Sequence, residues 1–287
     1  DLPSLIDELE YILPAQHAAV SAVDIALYDL AAQKAGVPLV EYLGGKARLL
    51  PTDQTIGIKP TPVAIQQAEG YVAEGHRTIK IKIGSVPSED IERVIALREA
   101  LGPDVALRVD ANQGYDRETA HDVLTQLASQ DIEFCEQPVR RTDRPSMNWL
   151  AKNAPVSIMA DESVFSPHDA AELIADGALT MFNVKLSKSR GICRGAEIAR
   201  LVQNAQGECM IGGMIETRLG MTAAAHLAAS NSVFKYFDLD CFTGHRFDPM
   251  VGGAKIVQGE VNLPTQPGTG IAPDPAFLSD YSPVEFS

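Results

Sequence analysis

Short apolar strand candidates alternate with longer helical stretches over most of this chain, and few architectures accept that order. Eight such strands can be read: LLPTDQTIGI, TIKIKIG, DVALRVDAN, IEFCEQP, SIMADES, FNVKLS, ECMIGG and YFDLD. Between them run helical patterns such as PVAIQQAEGYVAEG, SEDIERVIALREALG, RETAHDVLTQLASQ and RGICRGAEIARLVQNAQ. A strand and a helix recurring roughly every 25 residues describe parallel βα units. Eight of them predict an α/β fold of the (β/α)₈ barrel type over residues 48–265. A doubly wound open sheet is the competing architecture, but no strand is followed by GxGxxG or GxxxxGK[ST], the phosphate loops common in such sheets. Ahead of the barrel, within residues 1–47, HAAVSAVDIALYDLAAQ predicts a helix over about residues 15–34. Ala19, Val23, Ala26, Leu27 and Leu30 form its expected buried face, and Gly36 its stop. Residues 266–287, rich in Pro and Gly, are expected as a tail returning to the N-terminal helices.

Composition narrows the partners. A net charge of −14 and a pI near 4.8 argue against nucleic acid or an anionic membrane surface. Cys135, Cys193, Cys209 and Cys241 lie far apart, with no CxxC or Cys/His cluster, so neither a disulfide framework nor a zinc site is expected. A reducing cytoplasm fits that usage. No apolar run is long enough to span a bilayer, and no basic region followed by an apolar stretch opens the chain as a signal peptide would.

In TIKIKIG, alternate side chains face opposite sides, so Ile79, Ile81 and Ile83 share one face and Lys80 and Lys82 the other. In a barrel the isoleucines meet the helix layer and the lysines the lumen. Asp110, Glu136, Asp161 and Lys185 follow Lys82 at steps of 28, 26, 25 and 24 residues, near the ends of successive strands. Active sites of such barrels lie at that end. Any one acid there reads equally well as a solvated loop residue; three in phase, flanked by in-phase lysines, do not.

Three carboxylates converging from the third, fourth and fifth strands form an oxygen-only site suited to a hard cation, Mg²⁺ before Ca²⁺ or Mn²⁺. Spacing alone does not choose between Asp161 and its neighbour Glu162. Lys82 and Lys185 stand four strands apart in an eight-strand ring and so face each other across the mouth. Two amines on opposite sides of a substrate α-carbon suit proton abstraction from one face and delivery to the other, with the dication stabilising the enediolate between. Lys80 is expected to tune Lys82 or bind the substrate carboxylate. Asp238 and Asp240, in the last strand, form an anionic pair opposite the metal, which predicts a substrate with a carboxylate at one end and an ammonium at the other.

In that order and spacing, ALYDLAAQKAGVPLVEYLGG, TIKIKIG, RVDANQGY, EQP, ADES, NVKLSKSRGI, GGMIETRLGMTAAAHLA and DLD resemble the enolase superfamily in its muconate-lactonising branch, closest to the dipeptide epimerases. The resemblance covers nearly the whole chain. It makes residues 1–47 the remainder of an N-terminal capping domain, Asp110, Glu136 and Asp161 the Mg²⁺ ligands, and Lys82 and Lys185 the acid/base pair. Asp238 and Asp240 would grip the amino terminus of a dipeptide, while Asn112, Glu162 and Asn183 would support the ligands. A homo-oligomer is compatible with it. The capping domain's antiparallel strands and mobile loop have no counterpart after Asp1, and the family's KxGG reads Lys188-Ser-Arg-Gly191. Alternatives sharing the lysines and carboxylates are o-succinylbenzoate synthase, N-acylamino acid racemase and muconate cycloisomerase. A catalytically inactive barrel that serves as a binding protein is the alternative outside enzymes.

Overall fold

A computed structural model describes residues 2–279. Eight parallel strands follow one another in chain order: β1 (Gln54–Ile56), β2 (Thr78–Lys82), β3 (Ala106–Asp110), β4 (Ile132–Glu136), β5 (Ile158–Ala160), β6 (Met181–Lys185), β7 (Glu208–Gly212) and β8 (Phe234–Phe237). The order never reverses, as it would in a doubly wound sheet. Asp53 N donates to Phe237 O at 3.1 Å and Leu239 N to Thr52 Oγ1 at 2.9 Å, so the two edges of the curled sheet meet. Helices α1 (Leu2–Ile12) and α2 (His17–Ala35) precede the sheet; α3 (Thr61–Ala73), α4 (Pro87–Leu101), α5 (Arg117–Gln126), α6 (Arg144–Asn153), α7 (Pro167–Ala175), α8 (Ile192–Asn204) and α9 (Arg218–Ser230) connect its strands. No helix among the described residues is long and apolar enough to cross a membrane.

Helix starts are written locally. Asp116 accepts from Thr119 N ahead of α5, Asp143 from Ser146 N ahead of α6, and Ser166 from Asp169 N ahead of α7. Each such cap is worth about 1 kcal/mol. Ile79 and Ile81 on the helix-facing side of β2, and Ile83 just after it, lie buried, each contributing roughly 1.5–3 kcal/mol. On the inside, Phe134, Met159, Met181 and Met210 form a separate apolar cluster that plugs the lumen, with Tyr236 packed against it. The candidate strand LLPTDQTIGI is split: Leu50–Pro51 pairs with Glu260–Asn262 in a small antiparallel sheet, and only Gln54–Ile56 joins the barrel.

The expected buried face of α2 is wrong. Ala19, Val23, Ala26 and Leu30 are exposed and Leu27 is half-buried, whereas Val20, Ser21, Asp24, Ile25 and Ala32 are buried. Apolar residues surround this helix, so their period selects no side. A polar contact does. The buried Asp24 carboxylate accepts Ile192 N and Cys193 N, capping α8 from outside the barrel. That position suits an anion, although burial pushes the carboxyl up to about 7. The helix stops as expected, with Gly36 at φ 72°. Gly268 N donates to Val37 O at 3.0 Å, and Thr269 N and Oγ1 to Asp29 Oδ1 at 2.6 and 2.8 Å. The tail thus touches the N-terminal helices there; its residues 280–287 lie outside the described ones. His226 on α9 is fully buried, with Nδ1 accepting Val40 N at 3.1 Å.

Arg190 stands where the family motif carries a glycine and adopts the left-handed conformation a glycine would, φ 66°. Its guanidinium donates to Pro14 O at 2.9 Å, contacts that tie it to the turn between α1 and α2. Gly191 follows at φ 107°, and a Cβ there would fall 2.2–2.6 Å from the Asp24 side chain. Gly191→Ala is therefore expected to destabilise the protein by roughly 3 kcal/mol through backbone strain and overpacking, read as a lowered urea midpoint at unchanged slope.

Candidate active site

The lumen is layered because every strand alternates. Phe134 and Glu136 on β4, Met181, Asn183 and Lys185 on β6, and Tyr236 with Asp238 at the end of β8 each place a polar group one step above an apolar one. Lys82, Asp110 and Glu136 are direct register partners across β2, β3 and β4. Asp161 follows the last residue of β5, and Asp238 and Asp240 follow β8 rather than lying within it.

All of the residues singled out from the sequence meet in one network. Lys80 is buried, its Nζ 3.1 Å from Asp110 Oδ2, 2.6 Å from Glu136 Oε2 and 2.8 Å from Asp238 Oδ2. Burial opposes its charge, but the three carboxylates outweigh that and raise its pKa well above the ordinary value. Lys82 Nζ donates to Asp110 Oδ2 at 2.6 Å and to Asn112 Oδ1 at 2.8 Å. Across the mouth, Lys185 Nζ donates to Asp161 Oδ2 at 2.8 Å. Burial works to raise the Asp161 carboxyl, yet Lys188 and Lys185 beside it hold it well below the usual carboxylate range. Asp110 is likewise held low against its burial by Lys80 and Lys82. Glu136 goes the other way, pushed up to about 7 by burial and the charge of Asp110.

Asp110, Glu136 and Asp161 offer only oxygen, the donor set of a hard cation. Glu136 Oε2 is buried and, despite its short approach to Lys80, makes no hydrogen bond of good geometry, so this carboxylate retains acceptor capacity, while the oxygens of Asp110 and Asp161 are taken by lysines and the main-chain N–H of Asn112. Asn183 Nδ2 donates to Glu136 Oε1 at 2.6 Å and fixes that carboxylate. Asp161 bonds Lys185 and Lys188, whereas Glu162 accepts Asn112 Nδ2 at 3.2 Å, its carboxyl raised by burial and by Asp161. The two neighbours thus differ in their partners, two amines for Asp161 and an amide for Glu162.

Asp238 and Asp240 are joined by an acid the sequence reading missed. Oxygens of Asp53, Asp238 and Asp240 all lie within 4.8 Å of one another, the one such acidic group among the described residues. Asp53 is fully buried, its Oδ2 held by Arg108 at 2.8 Å and its Oδ1 without a partner. Asp238 is held at about 2, burial notwithstanding, chiefly by Lys80, and Asp240 is raised to about 6 by burial and Asp238. A cavity of about 390 Å³ connects this acidic wall with Lys80, Lys82, Lys185 and Thr55, whose backbone N–H donates to Asp240 at 2.8 Å. A second cavity of about 990 Å³ adjoins it over Glu162, Phe165 and Lys188, sharing Met214 and Ile215.

Asp53 carried no signal because it precedes its strand and takes its partner from β3; Lys188 sat in a turn where no period applies. Lys80→Met is expected to strand buried carboxylates without their cation and to cost about 3 to 5 kcal/mol of stability in a denaturant titration.

Residues 63–277 match the family described as "Enolase C-terminal domain-like". The chain is 42% identical over 253 residues to the hydrophobic dipeptide epimerase of Enterococcus faecalis, covering 88% of this chain and 71% of that protein. The crystal structure of a dipeptide epimerase from Cytophaga hutchinsonii, complexed with Mg and the dipeptide D-Ala-L-Val, superposes with a TM-score of 0.94 at 38% identity, covering 98% of this chain and 77% of that one. The muconate lactonizing enzyme of Pseudomonas putida superposes with a TM-score of 0.92 at 27% identity, covering 98% and 79%. Sequence match and superposition agree with the layered lumen: the chain belongs to the enolase superfamily, in the branch that joins muconate-lactonising enzymes and dipeptide epimerases.

Proposed function

We propose that this protein is a Mg²⁺-dependent dipeptide epimerase that inverts the α-carbon of the C-terminal residue by proton transfer between Lys82 and Lys185. The observation that carries this reading is one cavity lined by both lysines and, on a separate wall, by Asp238 and Asp240 with Asp53 behind them. Substrates of o-succinylbenzoate synthase, N-acylamino acid racemase or muconate cycloisomerase bring no ammonium to such a wall. A dipeptide does.

Asp110, Glu136 and Asp161 would hold the Mg²⁺, which when bound supplies Lewis-acid stabilisation of the negative charge left on the substrate as its α-proton departs. The remaining steps belong to the chain. Asp238 and Asp240 anchor the substrate ammonium. One lysine, neutral, takes the α-proton; the other, as an ammonium, returns a proton to the opposite face, and the pair ends with its protonation states exchanged. Asn112 fixes Lys82 on its side, and Asp161 fixes Lys185 on the other.

Incubation with L-Ala-L-Glu, hydrophobic dipeptides and Lys- or Arg-containing dipeptides in deuterium oxide should give α-deuterium incorporation and epimer formation for at least one group. Exchange of N-succinyl amino acids but of no dipeptide would refute the reading. Lys82→Ala and Lys185→Ala should each suppress exchange of one epimer's α-proton at least about 100-fold, seen by proton NMR of separately supplied epimers. Below about pH 6 Asp240 is protonated and loses the charge that receives the ammonium. The kcat/KM of the wild type should accordingly fall as pH drops through that value, and Asp240→Asn should lower kcat/KM at pH 8.

A further inference from the structure

Lys188 is a buried amine that the reaction as described above does not use. It lies on the one-turn helix Leu186–Ser189 directly after β6, its side chain only 3% exposed. Its Nζ donates to Asp161 Oδ1 at 2.5 Å, to the main-chain oxygen of Asp161, and to Asn183 O at 3.1 Å. These acceptors satisfy every N–H of an ammonium. The Phe165 ring covers it, centroid 5.5 Å away. Lys188 therefore has no donor left for a substrate. The Asp161 carboxylate, in turn, is shared between two amines, with Oδ1 on Lys188 and Oδ2 on Lys185.

We propose that Lys188 is a positioning residue for the Lys185 half of the reaction: by gripping Asp161 through both its carboxylate and its backbone, it aims Oδ2 at Lys185 and holds Asp161 in place within the metal-binding trio. The proposal rests on the epimerase reading for its kinetic consequence. For its metal consequence it rests on the proposed place of Asp161 among the Mg²⁺ ligands and on the bonds Lys188 makes to it. Asp161 follows a strand of only three residues, Ile158–Ala160, and its backbone is held instead by Gln137 Oε1, which accepts its N–H at 2.9 Å, by Val164 N, which donates to its carbonyl at 3.0 Å, and by Lys188. Lys188 bonds that backbone to β6, the strand that also carries Lys185. Lys82, by contrast, is placed by Asp110 and Asn112, neither of which Lys188 touches.

Two effects of removing this amine have opposite signs. Loss of a cation near a dication site strengthens Mg²⁺ binding by simple electrostatics. Loss of a clamp on a ligand weakens it, by about 10–100-fold for groups that orient metal ligands. Mg²⁺ titration calorimetry on wild type, Lys188→Met and Lys188→Gln, with urea denaturation of each, decides between them. Weaker Mg²⁺ binding, by about tenfold or more in Lys188→Met, is expected. At saturating Mg²⁺, α-deuterium incorporation should slow several-fold more for the epimer served by Lys185 than for the epimer served by Lys82, the two being assigned with the single alanine variants. Unchanged or tighter Mg²⁺ binding, equal slowing of both epimers, or loss of folding in both variants would overturn the proposal. A wild type that exchanges no dipeptide would sink the epimerase reading, and the Mg²⁺ titration would still judge Lys188.

Discussion

An ammonium sealed inside a barrel has to find carboxylates at hydrogen-bond range, and Lys80 imposes that requirement on everything around it. Below it, Phe134, Met159, Met181 and Met210 close the lumen with apolar side chains, which denies the charge any solvent from that side. Above and beside it stand Asp110, Glu136 and Asp238. These belong to two different subsites of the proposed reaction, the metal trio and the ammonium wall. A single buried cation therefore fixes the spacing between the proposed metal trio and the proposed ammonium wall.

The same network explains why the acids differ although all are buried. Asp161 and Asp110 face ammonium groups closely enough to stay ionised against desolvation. Glu136 and Asp240 face other carboxylates as well, and both are raised, to about 7 and about 6. Environment rather than residue type sets each state. Arg108 adds to this from below, its guanidinium stacked 5.3 Å from Phe134 and 5.2 Å from Tyr236 while it binds Asp53.

The barrel was legible because its periods are strong. A step of about 25 residues brings each strand end to the same level, so Lys82, Asp110, Glu136, Asp161 and Lys185 could be placed around a mouth from their numbers alone. What escaped lacks a period. The buried face of α2 follows from one contact, Asp24 to the start of α8, between residues some 170 positions apart. Asp53 enters the ammonium wall from a segment that is not strand at all, and Lys188 reaches Asp161 from a single turn. Long-range polar contacts of this kind leave no local trace, whereas strand alternation leaves one every second residue. Arg190 is intermediate: its departure from the family's glycine was visible, but not that it would keep the glycine's backbone conformation and use its side chain to hold the turn before α2.

Chemistry and selectivity are separated in this molecule by stiffness. The lysines and carboxylates sit on strand ends or immediately after them, and their hydrogen bonds leave little freedom for a productive geometry to drift. The rim is of another character. Met214 and Ile215, 56% and 90% exposed, stand on the loop after β7 where the two cavities meet, with Phe165 on the loop after β5 beside them. A substrate side chain laid across that rim would bury apolar surface worth about 25 cal/mol per Å² without disturbing a single bond of the network below. In the proposed reaction, changes at Met214 and Ile215 can thus alter the side-chain preference with little effect on Lys82 and Lys185, whose hydrogen bonds go to Asp110, Asn112 and Asp161, whereas Phe165, set over Lys188, is tied to the network.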